Sequence, residues 1–371
     1  MLTDILKQKG YKTFRGEVFV DRVEEVKFFK EYFEELPRKI LFVYGPKSTG
    51  KTTLIEYVIK NELIDDKRLF KSSKYNIKYV NFRGKLIASY NTFLDSIIRK
   101  KDETIEAELS YELNLGVFRL NPKLYAKAKE KEEDIFDLLI DELKKSKKKN
   151  IFIIDEIQVL EDIYINGTRE LIKEFLNFCV RLTKELHLSH VVILTSNTIF
   201  LNRIYNDSKL KKTSKFKLID HPNENVARKL LLDLGYNNEK IDIIIDYFGT
   251  VFIDLITLYQ YLKPNEYIEK LKEYLESEKR DAYMQINDLF IRNKKYNLPD
   301  NVDEIFKEIT KEIIKKEKYI LKEKDLNTQK RVYPTIEVFC EKEILFFDPQ
   351  TGIITPNSRI YLKAMEDFIK E

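Results

Sequence analysis

Residues 40–55 read ILFVYGPKSTGKTTLI. The apolar run from Ile40 to Val43 suits a strand buried on both faces, and it stops at Gly45. The spacing G-x-x-x-x-G-K-[ST] follows as Gly45, Gly50, Lys51 and Thr52. Leu54, Ile55 and Val58 then open an apolar helical stripe. Strand, turn and helix start are the context that a phosphate-binding loop requires. The glycines allow backbone angles that aim successive N–H groups at one anion, and the helix N-terminus adds partial positive charge. Gly45, Pro46, Lys47, Ser48, Thr49, Gly50, Lys51, Thr52 and Thr53 are therefore expected to surround a bound nucleoside triphosphate. Lys51 is expected to reach the β- and γ-phosphates, and the Thr52 hydroxyl to ligate Mg2+.

Working outward, the next strong motif is IFIIDE at 151–156. Four apolar residues suit a second buried strand, and two carboxylates stand at its C-terminal end. Asp155 is expected to hold the magnesium ion, and Glu156 to polarise the attacking water as catalytic base. A third buried strand, HVVILTSN, ends in Thr195, Ser196 and Asn197, where a polar side chain could sense the γ-phosphate or cap the following helix. YNIKYVNF at 75–82 alternates as a further strand.

Composition narrows the class. The 371 residues, 43% of them hydrophobic, are enough for two or three domains with real cores. Two cysteines, Cys179 and Cys340, sit in apolar helical patterns and read as buried thiols of a reducing cytoplasm. No run reaches the length of a membrane span, and no signal peptide is evident. A net charge of +4 is too mild to announce nucleic-acid binding. His187 and His190 have H-x-x-H spacing but straddle a helix end without an acidic or Cys partner, so zinc is not expected there.

Before the first strand, residues 21–36 predict a helix, with Asp21 as N-cap, Glu24 as its capping-box partner and Val23, Val26, Phe29 and Phe33 as the apolar stripe. Such a helix is placed to cover a purine base, with Arg22 as its polar contact. After the phosphate helix (50–62), residues 89–100 predict an amphipathic helix, and 104–130 break the pattern as an inserted hairpin or loop. Helices are expected at 132–145 and 169–188, the latter capped by Thr168. Five lysines between Lys144 and Lys149 precede a strand, on the sheet edge opposite the nucleotide, and read as a solvated face or a site for an acidic partner. Helical segments at 223–235, 237–248 and 251–262 make a lid-sized unit. Beyond it, three helices (302–316, 318–329, 334–343), a hairpin in 343–356 and a last helix (358–370) predict a winged helix. Residues 265–371 hold 20 Lys and Arg against 22 Asp and Glu, a net of −2. Its reading helix carries Glu337, Glu341 and Glu343, each of which would oppose DNA phosphate, so the unit is expected to contact protein.

With GPKSTGKTT, IFIIDE and LTSN placed, the chain resembles the archaeal ATPase family of P-loop proteins, related to AAA+ and STAND ATPases. FVDRVEEV resembles the family's opening signature, with Val23 where Glu is usual, so only Arg22 and Glu25 carry over. DEIQ at 155–158 is a close match, and HPNENVARKLL resembles the start of the family's helical lid. The resemblance implies an α/β fold: a P-loop NTPase parallel sheet of order 5-1-4-3-2 with a helical lid and a C-terminal winged-helix domain. It divides the chain into a core (1–220), a lid (221–264) and a helical linker with winged helix (265–371). It makes Asn197 or Ser196 the sensor. Where relatives often carry Gly-Arg this chain has Lys212-Thr213, so an arginine near the γ-phosphate is missing there and Lys211, Lys212 or Lys215 is the expected substitute. The other lid feature falls at Gly249–Phe252, where the sequence is GTVF.

The implied activity is Mg-ATP hydrolysis, slow or partner-stimulated, driving a switch read by the lid and winged helix. Catalysis falls to Glu156, Lys51 and Asn197, metal binding to Thr52 and Asp155. A DNA-binding initiator-like ATPase and a nucleotide-binding scaffold without turnover are the alternatives. ATP and ADP are the expected ligands, since no guanine-specificity motif follows. A protein partner, DNA as a disfavoured one, no membrane, and possible oligomers complete the expectation.

Overall fold

The computed structural model describes residues 2–15, 17–68, 71–100, 118–130, 134–165, 167–207 and 210–370. Its centre is a parallel sheet of five strands: β1 (Ile40–Tyr44), β2 (Tyr75–Asn81), β3 (Lys149–Asp155), β4 (Ser189–Thr195) and β5 (Ser214–Leu218). Their spatial order is β5-β1-β4-β3-β2, the 5-1-4-3-2 order implied by the resemblance. Every residue of β1 and β4 is buried, which is why these strands read as continuous apolar runs rather than alternating ones. Alternate side chains enter two cores. Phe42, Tyr44, Phe152, Ile154 and Ile193 pack under helices Tyr90–Ile97, Ile135–Lys144 and Leu171–Val180. Leu41, Val43, Ile153, Val192 and Leu194 pack under helices Val23–Glu34 and Lys51–Val58.

The register of these strands brings their tips together. Thr195 lies beside Tyr44, and Leu194 beside Asp155, so the C-terminal ends of β1, β3 and β4 stand at one level. The lysine run before β3 lies at the other edge, where Lys149 pairs with Glu34 at 2.9 Å.

Several local expectations are corrected. Asp21 does not cap the helix Val23–Glu34: it takes φ +54°, and its carboxylate accepts the Asn223 amide at 3.1 Å, joining the helix entry to the lid. Val23 is 75% exposed, because Phe29, Tyr32 and Phe33 already fill the buried face. Thr168 is not the cap of the next long helix, which starts at Leu171 behind a two-residue hairpin of Tyr164–Ile165 with Arg169–Glu170. The helix from Tyr90 ends at Ile97, after a reciprocal Ser89–Thr92 capping box. Ile98–Lys100 is instead a strand, paired in parallel with Phe118–Leu120. The expected 104–130 insertion is therefore no hairpin over its described part: a strand and the Asn121-capped helix Pro122–Lys129 occupy 118–129. Residues 104–117 lie outside the described residues.

Three short helices, Glu224–Asp233, Asn238–Phe248 and Phe252–Tyr261, share a core with Leu6, Leu271 and Leu275. Asn223 and Asn237 cap the first two. The long helix Ile268–Ile291 then leads to the C-terminal unit. Here two of the three expected helices are one. Helix Leu326–Glu341 runs through Pro334, whose missing N–H and ring clash are offset by burial of Val332, Thr335, Ile336 and Phe339. Tyr319 and Ile320, expected to be helical, form a short strand on the wing hairpin β6 (Leu345–Asp348) and β7 (Ile353–Pro356). Helix Arg359–Lys370 closes the unit.

Candidate functional site

The loop after β1 is shaped by three positive-φ residues: Gly45 (+153°), Ser48 (+62°) and Gly50 (+78°). Gly45 tolerates no side chain, since a Cβ there would sit 2.0 Å from the Ile219 carbonyl oxygen. Gly50 is left-handed and starts helix Lys51–Val58, so the helix N-terminus points into the loop. Thr49 Oγ1 donates to Pro46 O at 3.1 Å. Arg22, only 8% exposed, braces the loop from behind: its guanidinium donates to Thr49 O (2.7 Å), Asp220 O (2.9 Å) and Glu25 Oε1 (3.0 Å). Arg22, expected as a base contact, is held by the loop backbone and also lines the neighbouring cavity.

Lys51 Nζ donates to Pro46 O (2.7 Å) and Gly45 O (3.0 Å), spanning the loop it is to serve. Burial pushes its ammonium down to about 8, against the pull of Glu156 and Asp155. Thr52 Oγ1 donates to Asp155 Oδ2 at 2.7 Å. Asp155 is 2% exposed, and burial raises its carboxyl above the usual carboxylate range. Behind this pair the buried Glu56, ion-paired to Arg15 at 2.6 Å, is pushed up to about 7 by burial. Thr52 and Asp155 supply hard oxygen donors, the set that Mg2+ takes.

Glu156, one position past the end of β3, sits at φ +59°, ψ +46° in the left-handed region. One oxygen is ion-paired with Arg83 and the other accepts from the Gln158 amide. Lys51, Thr52, Asp155, Glu156 and Asn197 all border one cavity of about 550 Å³. Asn197 lines it while its carboxamide oxygen accepts the Phe200 amide at 2.9 Å, capping helix Thr198–Asp207.

A sequence profile described as an ATPase domain predominantly from Archaea matches residues 19–258. The chain belongs to this family of archaeal ATPases. An uncharacterized ATP-binding protein of Methanocaldococcus jannaschii is 31% identical over 374 residues, covering 95% of this chain and 98% of its own. Another, of Pyrococcus abyssi, is 30% identical over 369 residues, covering 95% and 99%. Among solved structures, the Aeropyrum pernix ORC2 protein in ADPNP–ADP complexes is similar with a TM-score of 0.49 at 14% identity, covering 95% of this chain and 94% of that one.

In this archaeal ATPase a second cavity, about 350 Å³, adjoins the first. Its walls are Phe19, Val20, Arg22, Thr49 and Thr53 on one side and Pro222, Phe252, Ile253 and Ile256 of the lid on the other. The GTVF stretch thus supplies an apolar wall. Lys211, Lys212 and Lys215 are not at the site. They flank the start of β5, where Ser214 pairs with Ile40 at the far edge of the sheet, and Lys215 lies over the Phe28 and Tyr32 rings. Besides Lys47 and Lys51 of the loop, the cavity is lined by Arg83, beyond the tip of β2, which motif spacing did not reveal.

The C-terminal unit of the ATPase also reaches the loop, which sequence reasoning missed. Glu343 is ion-paired with Lys47, Asp348 Oδ1 accepts from Tyr44 Oη at 2.9 Å, and Asn357 Oδ1 accepts the Lys47 amide at 3.4 Å. Glu341 lines the first cavity, and Glu337 lies 3.7 Å from Arg203. The acidic residues of the expected reading helix face the nucleotide-binding core. No helix among the described residues is long and apolar enough to cross a membrane.

Proposed function

We propose that this archaeal ATPase binds Mg-ATP across the two cavities and hydrolyses it as a nucleotide-controlled switch. The observation carrying the reading is the convergence of the Lys51 ammonium, the Thr52–Asp155 pair and the Glu156 carboxylate on one cavity at the C-terminal tips of adjacent parallel strands. The purine packs in the second, more apolar cavity, between Phe19 and the lid residues Phe252 and Ile256. The loop amides and the Lys51 ammonium, which exchanges its loop carbonyls for phosphate oxygens, hold the polyphosphate. Thr52 and Asp155 would hold Mg2+, which when bound neutralises charge on the phosphate oxygens. Glu156 orients the lytic water and takes its proton.

The first test is pH. Lys51 sits near 8 in the free chain, and a bound triphosphate favours its charged form, so binding above that pH takes up a proton. Mg-ATP affinity should therefore fall as pH rises past about 8, by up to about tenfold per pH unit. An affinity that stays flat from about pH 7 to 10 means that Lys51 keeps its proton in the free chain, and the lowering by burial falls.

The switch reading rests on the C-terminal clamp. A triphosphate brings negative charge beside Glu341 and Glu343 and competes for Lys47, so it loosens the contacts made by Glu343, Asp348 and Asn357. ADP does so less, and a protein partner binds the released face. Amide hydrogen exchange over 343–357 should accelerate with Mg-ATP relative to Mg-ADP in a chain that cannot hydrolyse. Identical exchange in both states sinks the switch while leaving hydrolysis untouched. A DNA-reading role draws no support, because helix Leu326–Glu341 is turned toward the core, with Asn202 donating to Tyr333 Oη at 3.2 Å and Arg203 facing Glu337.

A further inference from the structure

Glu156 needs more than a place in the cavity. Its backbone takes a left-handed turn, and an unsupported carboxylate there could rotate away from the phosphate end. The turn is anchored by the wholly buried Ile157 and Leu160, which hold Gln158 between them at the cavity wall. The Gln158 amide nitrogen donates to Glu156 Oε2. Its oxygen accepts from Thr195 Oγ1 at 3.2 Å.

The direction of this chain follows from proton counting. A threonine hydroxyl has one proton to give. The Asn197 backbone N–H donates to Thr195 Oγ1 at 3.0 Å and occupies one of its lone pairs. A second lone pair remains, so the direction is set at the other end: the Glu156 carboxylate only accepts, which turns the Gln158 nitrogen toward it and the Gln158 oxygen toward the Thr195 proton. Thr195 is 1% exposed at the tip of β4, so the far end of the relay is fixed to the central sheet. Arg83, which holds the other oxygen of Glu156, has a side chain 68% exposed and is free to leave it for an incoming phosphate. Gln158 is not.

We propose that Gln158 is the positioning residue of the catalytic base, tied through Thr195 to the tip of β4 so that Glu156 stays aimed when Arg83 lets go. The proposal rests on the hydrolytic reading of the site. It also assigns the β4 strand an effect on Glu156 through Thr195, separate from the Asn197 side chain, whose carboxamide oxygen caps a helix.

The test is phosphate release from Mg-ATP by the full chain, in single turnover and at steady state, for Gln158→Ala, Thr195→Val and Thr195→Ser. Each is made with and without Glu156→Gln. Misaiming one group costs up to about 100-fold, so Gln158→Ala should lose about 10- to 100-fold in kcat with KM nearly unchanged. Thr195→Val, which keeps shape but not the proton, should lose part of the same factor, and Thr195→Ser should recover most of it. In the Glu156→Gln background, Gln158→Ala should cost nothing further. Should Gln158→Ala fail to fold, the Thr195→Val and Thr195→Ser pair carries the test. Turnover by Gln158→Ala within about twofold of the unaltered chain, beside a slow Glu156→Gln, overturns the assignment. So does a loss that persists in full without the Glu156 carboxylate. If Glu156→Gln itself is as fast as the unaltered chain, the hydrolytic reading falls first and takes this proposal with it.

Discussion

Glu156→Gln should turn over ATP about 10²- to 10⁴-fold more slowly than the unaltered chain while holding Mg-ATP almost as tightly. The substitution keeps the size of the side chain and removes its ability to accept a proton from water. In the proposed site binding depends on other groups: the loop amides, Lys51, Thr52 and Asp155 all come from the loop after β1, the helix that follows it, or the last position of β3. Affinity is therefore expected to survive. The check pairs a phosphate-release assay with a nucleotide-binding titration on the same preparation. Equal turnover in the two chains would remove Glu156 from the chemistry. A parallel loss of affinity would instead place it in substrate binding. The expected variant is useful in itself, since it holds the ATP-bound state long enough for the clamp at Glu343 and Asp348 to be probed and for a state-specific partner to be recovered.

Gly45→Ala should be the most damaging single-methyl change in the loop. The new Cβ would meet the Ile219 carbonyl oxygen at 2.0 Å and the carbonyl carbon at 3.0 Å, both backbone atoms that no rotamer change can move aside. Ile219 is itself held there by its amide, which donates to Tyr44 O at 2.8 Å in continuation of the β1–β5 pairing. Its successor, Asp220, accepts from Arg22, which also braces Thr49. The backbone angle, φ +153°, adds strain for any L side chain. Relief requires β5 to part from β1 or the loop to leave its brace, at a cost of about 3 kcal/mol or more. Chemical denaturation should register that loss, and Mg-ATP binding should weaken with it. Gly50→Ala makes the contrast: nothing lies within 4 Å of its Cβ position, so only the left-handed angle (+78°) resists and the loss should be smaller. Comparable stability of Gly45→Ala and the unaltered chain would mean that the Tyr44–Ile219 join is not rigid.

The two motifs were legible because the chemistry they encode is local. A glycine just past the end of a β-strand, a lysine and a threonine on the first turn of a helix, and two carboxylates at a strand tip need only backbone geometry to be interpreted. Apolar runs in β1, β3 and β4 stood out because both faces of each strand are covered. Helix ends fared worse. Asp21 and Thr168 have the side chains of good caps, yet Asp21 is claimed by the lid through Asn223 and Thr168 by a turn, and local preference yields to such tertiary partners. Pro334 misled in the same way: a helix breaker in isolation, it is carried through by the buried face on either side of it.

The residues that complete the site lie far from the motifs in sequence. Arg83 meets Glu156 across 73 positions, Thr195 meets Gln158 across 37, and Glu343 meets Lys47 across 296. The amino-acid sequence alone determined the strand–loop–helix around Gly45 and Gly50, the acidic strand tip and the parallel α/β class, since spacing and periodicity act within a few residues of one another. Only the tertiary structure decided which arginine enters the cavity, what holds Glu156, and that an acidic helix suited to avoiding DNA is turned inward against the nucleotide loop. A side chain's partner is chosen by the packing of whole elements, and that choice leaves no periodic trace in either partner's neighbours.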